Sequence, residues 1–334
     1  MTPDDHSPKF TEAYAAFLLA KRSENVSASM IELYTATRGY LLRRFGDLRL
    51  DDLKPENLRT FLLWLQGNDE STAIAAPPGR KGKLADSTID MQYRQLKTFF
   101  NWCEDEELIA RSPMRKIKKP KGESVLPDAL TEAEADHLLE CVRTSGDHNA
   151  WRDYCVHLFF LDTGVRLEEL SELDLDSLNF EEGYARVFGK GRKERIVPMG
   201  LELRRELNRY LLKHRRPVKG ERALFVNEHG YRLGKRGVAA MVTRDLRKYV
   251  ERELNQHGPH TLRHTSATFN VRYTGDLKTT SLILGHTTTR TTERYTHLTG
   301  SDVLRNAAGS PMDQILRGRR NGKGDSSRGN GNLD

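Results

Sequence analysis

The sequence contains only three cysteines, Cys103, Cys141 and Cys155, odd in number, far apart and flanked by apolar residues. No CxxC-like cluster is present, which argues against a disulfide framework and a zinc site; buried free thiols are expected instead. No apolar run approaches the ~20 residues that span a bilayer. The opening residues, MTPDDHSPKF, lack the basic start and apolar stretch of a signal peptide. A cytoplasmic protein with no membrane partner is therefore expected. The nucleotide-binding pattern GxxxxGK(S/T) is absent too. What is present is a chain of 334 residues with 37% hydrophobic and 30% charged content, suited to a globular protein. At ~100–200 residues per domain, that length suggests two domains, each with its own core. Lys and Arg total 54 against 47 Asp and Glu, a net charge of +7. This permits a polyanionic partner without requiring one.

Residues 8–111 read as an all-helical bundle of about four helices. Phe10, Tyr14, Phe17 and Leu18 recur at helical spacing, as do Met30, Leu33, Thr37, Tyr40 and Leu41. Pro55 suits the first position of a third helix. Ser87 to Asp90 reads as a capping box opening a fourth, whose apolar face is Ile89, Tyr93, Leu96, Phe100 and Cys103. Between the last two, residues 67–86 carry PPGRKGK; prolines and glycines forbid regular structure there. Its charge suits either a phosphate backbone or a solvated insert. Residues 112–127 combine prolines with a dense run of Lys and Arg and read as a basic interdomain linker.

A second domain is expected over 128–316. Thr131 to Glu134 forms another capping box, and a long helical pattern from Trp151 breaks at Gly164. Tyr184–Phe188 and Arg195–Pro198 read as strands joined by a glycine-rich turn, Gly189-Lys190-Gly191-Arg192, and Ala223–Val226 as a third short strand. Helices return after Gly237. Residues 317–334, glycine-rich and polar, read as a disordered tail.

Five segments concentrate groups suited to a phosphodiester. Thr163-Gly-Val-Arg166 presents a guanidinium after a glycine bend, although Arg166 beside Glu169 also reads as a surface ion pair. The glycines around Lys190 let a hairpin tip approach another backbone closely. In His260-Thr-Leu-Arg263, residues three apart share a helix face and can touch one anion. His264 falls on an adjacent face and reads as a structural hydrogen-bonding residue. Leu284-Gly-His286 places an imidazole where glycine ends a helix, and Tyr295 sits in a polar surround.

Jointly these segments resemble the tyrosine recombinase (phage integrase) family, most closely from Phe160 to Leu298. The family pattern is an arginine in a TGxRxxEL-like box, a lysine on a β-hairpin, an HxxR box, a GH box and a tyrosine near the C-terminus. Arg166, Lys190, His260, Arg263, His286 and Tyr295 match it in order. The resemblance implies a mainly α protein: an N-terminal helical bundle of the SAM-like core-binding type, then a C-terminal α+β catalytic domain with a small antiparallel sheet. It implies a site-specific recombinase that cleaves and rejoins DNA through a 3′-phosphotyrosyl bond to Tyr295, with neither metal, ATP nor other cofactor. Arg166 and Arg263 would bind the phosphate, His260 and His286 would add hydrogen bonds, with His260 as candidate base, and Lys190 or Lys193 would protonate the leaving oxygen. The implied partners are double-stranded DNA carrying specific recombination sites, clamped between the two domains, and three further copies of the chain in a tetramer on DNA, with room for accessory proteins. Segment 301–316 would dock on a neighbouring subunit or on its own domain.

Three features depart from the family. VRYTGDLKTTSLILGH is unusually polar, Ser266 stands where a bulky apolar residue is common, and the 67–86 insert is long. A type IB topoisomerase shares the chemistry, and exchange between two marked duplexes separates it from a recombinase. The other readings are a non-catalytic DNA-binding regulator on the same fold, opposed by the presence of all six polar groups, and a metal-dependent nuclease, which EDTA would inhibit.

Overall fold

The computed structural model describes residues 7–67, 84–120, 128–189, 194–274, 280, 284 and 310–317. The 68–83 part of the basic insert, Lys190 to Lys193 of the expected hairpin turn, His286, Tyr295 and residues 318–334 of the expected tail lie outside the described residues. The chain folds as two compact units, Met1–Val125 and Leu126–Asp334.

The described residues of the first unit form four α-helices: α1 (Phe10–Ser23), α2 (Ala28–Phe45), α3 (Pro55–Leu65) and α4 (Asp86–Asp105). Phe10, Tyr14 and Phe17, one turn apart on α1, bury completely against Phe99 of α4, with ring centroids 4.5 to 5.5 Å apart. The Tyr14 hydroxyl escapes the cost of burial by donating to the Tyr34 carbonyl at 2.9 Å. Pro55 is the first residue of α3, as its fixed φ suggests, and the Asn57 side chain accepts from the Lys54 N–H at 3.0 Å.

Two sequence expectations change here. α4 starts at Asp86 after Ala85, with no side-chain cap; Asp90 pairs with Arg94 and Lys119 instead of closing a capping box. The stretch after Ser112 is also not all linker. Pro113–Lys116 forms a 3-10 turn, Met114 and Ile117 join the unit's core, and Tyr93 donates to the Ile117 carbonyl at 2.9 Å. Two apolar side chains among the basic ones suffice to hold that segment down.

The second unit is built around α6 (Ala150–Thr163), flanked by α5 (Glu132–Arg143), α8 (Leu201–Arg209), α9 (Lys235–Tyr249) and α10 (Pro259–Thr274). Nearly every α6 side chain is buried, as befits a helix enclosed on all sides. The Thr131 capping box is present: its hydroxyl accepts from the Glu134 N–H at 3.2 Å, and Glu134 accepts from the Thr131 N–H at 2.8 Å.

The sheet is antiparallel in the order β1 (Leu178–Asn179), β2 (Tyr184–Phe188), β3 (Glu194–Pro198), with Ala185 opposite Val197 and Val187 opposite Arg195. The third strand is therefore Leu178–Asn179, not Ala223–Val226, which makes only isolated bridges from Ala223 to Asp174 and from Val226 to Arg232. Helices also return earlier than expected. α8 precedes Gly237, and α9 begins before it, at Lys235. Cys103 and Cys155 are buried free thiols, with burial pushing Cys103 up to about 12, whereas Cys141 is only half-buried, its Sγ 3.5 Å from His137 Nε2. Among the described residues, no helix is long and apolar enough to cross a membrane.

Candidate active site

The site grows from the C-terminal end of α6. Gly164 ends that helix with φ +60° and ψ 26°, its N–H donating to the Phe160 carbonyl at 2.9 Å. A left-handed residue there favours glycine, and space requires it as well. An added Cβ would lie 2.5 Å from Leu284 Cδ2 and 3.1 Å from Ser266 Oγ. This gives Ser266 its reason: it is fully buried against Gly164, where a bulkier side chain would collide with the helix end. Asn270 also donates to its carbonyl at 2.9 Å.

After the bend the chain turns at once into α7 (Leu167–Ser171), with Arg166 as its N-cap. The Glu169 carboxylate folds back onto Arg166, accepting its backbone N–H at 2.7 Å and its Nη1 at 2.9 Å. Arg195, on β3, grips the same carboxylate from the other side, with Nε 3.2 Å from Oε1 and Nη2 2.8 Å from Oε2. Glu169 is 2% exposed, so the pair is no surface ornament. Burial alone would raise its carboxyl; the hydrogen bond and charge of Arg195, then those of Arg166, outweigh burial and hold it below the usual carboxylate range.

Arg263 enters from α10. Its guanidinium donates to the Gly164 carbonyl and, at 2.6 Å, to the carbonyl of Leu284, two residues before His286. One side chain thereby joins the end of α6 to the segment leading into the GH box. Arg263 is only 8% exposed. Burial, then the positive charges of Arg166 and Arg195, push it down to about 10, against the pull of Glu169. Two guanidinium groups thus bind one carboxylate while a third, Arg263, lies within reach of their charge, a local surplus of positive charge that favours an anion.

His260 is exposed in the first turn of α10, three residues before Arg263. His264, expected to hydrogen-bond within the structure, is exposed instead. Crowding by neighbouring atoms, then His260 and Arg263, keep its imidazole below the ordinary value. The described residues therefore bring Arg166 and Arg263 together and place His260 on the helix that carries Arg263. Sequence reasoning named neither Glu169 nor Arg195 as site residues.

The phage integrase family model matches residues 128–301. The chain belongs to the phage integrase family. It is a tyrosine-type site-specific recombinase, similar to the tyrosine recombinase XerC of Alcanivorax borkumensis, with 34% identity over 229 residues, 68% of this chain and 73% of that one. With XerC of Pseudomonas syringae pv. tomato it shares 31% identity over 291 residues, 86% of this chain and 90% of the relative. In fold it resembles a lambda integrase tetramer bound to a Holliday junction, with TM-score 0.66, 17% identity, and coverage of 85% of this chain and 79% of that one. The matched region contains all six residues that carry the family pattern, the three undescribed ones included.

Proposed function

We propose that this recombinase cuts one strand of double-stranded DNA at a specific site by attack of the Tyr295 hydroxyl on a backbone phosphate, forming a 3′-phosphotyrosyl bond and freeing a 5′-hydroxyl. The reverse attack, by a 5′-hydroxyl from another duplex, rejoins the strand. The observation that carries this reading is the cationic cluster in which Arg166 and Arg195 bind a single buried carboxylate and Arg263 adds its charge beside them. A phosphodiester bears one negative charge, and attack spreads more onto its non-bridging oxygens; preorganised cations lower that barrier. Arg263 is held in place by two backbone carbonyls, and a guanidinium so fixed, like that of Arg166 beside it, suits the fork of two phosphate oxygens.

A free tyrosine is only ~0.1% phenolate at pH 7, which costs ~4 kcal/mol to correct. The positive pocket offsets part of this, and His260 takes the proton. His286 donates to a non-bridging oxygen. The leaving 5′-oxygen needs a proton, which Lys190 supplies, or Lys193 in its stead. One phosphoester replaces another, so the exchange is nearly isoenergetic and calls for neither ATP nor a metal. Strand exchange joins two duplexes, each cut twice, which calls for four copies of the chain on DNA. The lambda integrase neighbour, a tetramer on a Holliday junction, supports that stoichiometry.

A suicide duplex, nicked so that the short fragment bearing the new 5′-hydroxyl diffuses away after cleavage, tests the reading. The wild-type protein should form a covalent protein–DNA band that resists boiling in detergent. Tyr295→Phe should bind the same DNA and form none. An undiminished band with Tyr295→Phe would refute the assignment.

A further inference from the structure

Arg195 stands at an unusual place in the hairpin. Side chains on a strand alternate between faces, so Arg195 shares its face with Val197 and lies opposite Val187, both buried in the core. It is the inward position on β3 nearest the tip. A valine there would bury without complication. The chain instead places a guanidinium whose side chain is only 17% exposed, and spends it on Glu169. The carboxylate then accepts four N–H groups: Oε1 from Arg166 Nη1 and Arg195 Nε, Oε2 from the Arg166 backbone and Arg195 Nη2.

That sharing has an electrostatic consequence. Glu169 facing Arg166 alone would cancel the Arg166 charge. With Arg195 bound to both oxygens by the two-pronged geometry that only arginine provides, the carboxylate is already compensated. We propose that Arg195 is a positioning residue for strand transfer: it neutralises and orients Glu169 so that Arg166 keeps its positive charge for the scissile phosphate, and it ties the strand returning from the hairpin tip to that pocket. Lys190 lies five residues earlier in the sequence, between the two paired strands. The proposal rests on the phosphotyrosyl reading of the same site.

Single-turnover cleavage of the suicide duplex at saturating protein, with DNA affinity measured separately, tests it. Arg195→Met keeps the stem and loses the charge; it should cleave at least about tenfold more slowly, with affinity within about threefold of wild type, because one charged hydrogen-bonding partner is lost. The decisive variant is Glu169→Gln combined with Arg195→Met. Removing the carboxylate charge removes the need for compensation, so the double variant should cleave no more slowly than Arg195→Met alone, a pattern that loss of packing would not give. Losses that multiply in the double variant would overturn the proposal, as would Arg195→Met cleaving within about twofold of wild type. If Arg195→Met fails to fold, Arg195→Lys keeps stem and charge but grips one oxygen. A severalfold slowing at unchanged affinity supports the role, and a wild-type rate overturns it. If the wild-type protein itself forms no adduct, the phosphotyrosyl reading fails and takes this role with it. If the adduct forms normally and Arg195 proves dispensable, only the positioning role fails.

Discussion

Gly164→Ala is the substitution whose consequence the geometry fixes most tightly. The residue sits at φ +60°, where a side chain costs roughly 1–2 kcal/mol. Its new Cβ would lie 2.5 Å from Leu284 Cδ2 and 3.1 Å from Ser266 Oγ, and both residues are buried. Overpacking of that kind costs about 1–3 kcal/mol, so the sum is about 2–5 kcal/mol of stability in the second unit. The methyl of Leu284 can turn aside only by disturbing a packed neighbourhood, and the Leu284 carbonyl is one of the two that hold Arg263. Cleavage should therefore fall by more than the unfolded fraction explains. Calorimetric melting of the second unit gives the stability. Single-turnover cleavage well below the midpoint gives the activity. A variant that melts within about 1 °C of wild type, less than a shift of 1 kcal/mol produces, and cleaves at the wild-type rate would refute the reasoning.

Further outcomes follow from other contacts. Arg166→Ala, at a half-exposed position, should leave the fold intact and slow cleavage by ~10²–10³, the scale of one lost oxyanion donor; a loss below about tenfold in a single-turnover assay contradicts its role. Asp162 is fully buried between the Gly200 N–H, at 2.8 Å, and the Ser310 hydroxyl; burial, joined by the charge of Asp313, raises its carboxyl to about 7 despite those bonds and Arg204. Its folded value exceeds its ordinary 3.8, so the folded state holds the proton longer. The stabilisation is full below about pH 4 and is lost as pH rises to about 7, on the order of a few kcal/mol. Asp162→Asn should flatten that slope and raise stability at pH 8, as denaturant curves at several pH values will show; an unchanged slope refutes it. Thr131→Ala removes the hydroxyl that caps α5 and should cost about 1 kcal/mol in the same assay. DNA affinity should fall steeply with salt, as expected where phosphate contacts dominate, and a flat response between ~50 and 200 mM salt would count against such contacts.

The features readable from sequence were those whose cause is local. Thr131 and Glu134 cap a helix within four residues, and Gly164 marks its bend by being a glycine between helical patterns. Arg166 and Arg263 were legible because their boxes are short and ordered. The misses are tertiary. Glu169 and Arg195 are 26 residues apart, and each reads as an ordinary surface charge until the hairpin folds over α7. Strand alternation offered one signal, since it puts Arg195 on the face of Val197. Ser266 looked like a departure because its neighbour Gly164 is 102 positions away. α8 was overlooked although Leu203 and Leu207, with Tyr210 just past its end, recur at helical spacing and are buried. Its many charged residues masked a narrow apolar stripe. Of the 301–316 segment the described part packs within the second unit: Met312 is buried in its core, and Asp313 accepts from the N–H groups of Leu201 and Glu202 at 2.9 and 2.8 Å.

The chemistry turns on which atom becomes bonded to DNA. Peptide mapping of the trapped adduct by mass spectrometry, after nuclease trimming, reads that atom's residue directly. A nucleotide on the phenolic oxygen of Tyr295, linked through a 3′-phosphate, is the expected result. A nucleotide found on a serine or on another tyrosine, or a 5′-phosphate linkage, would contradict it.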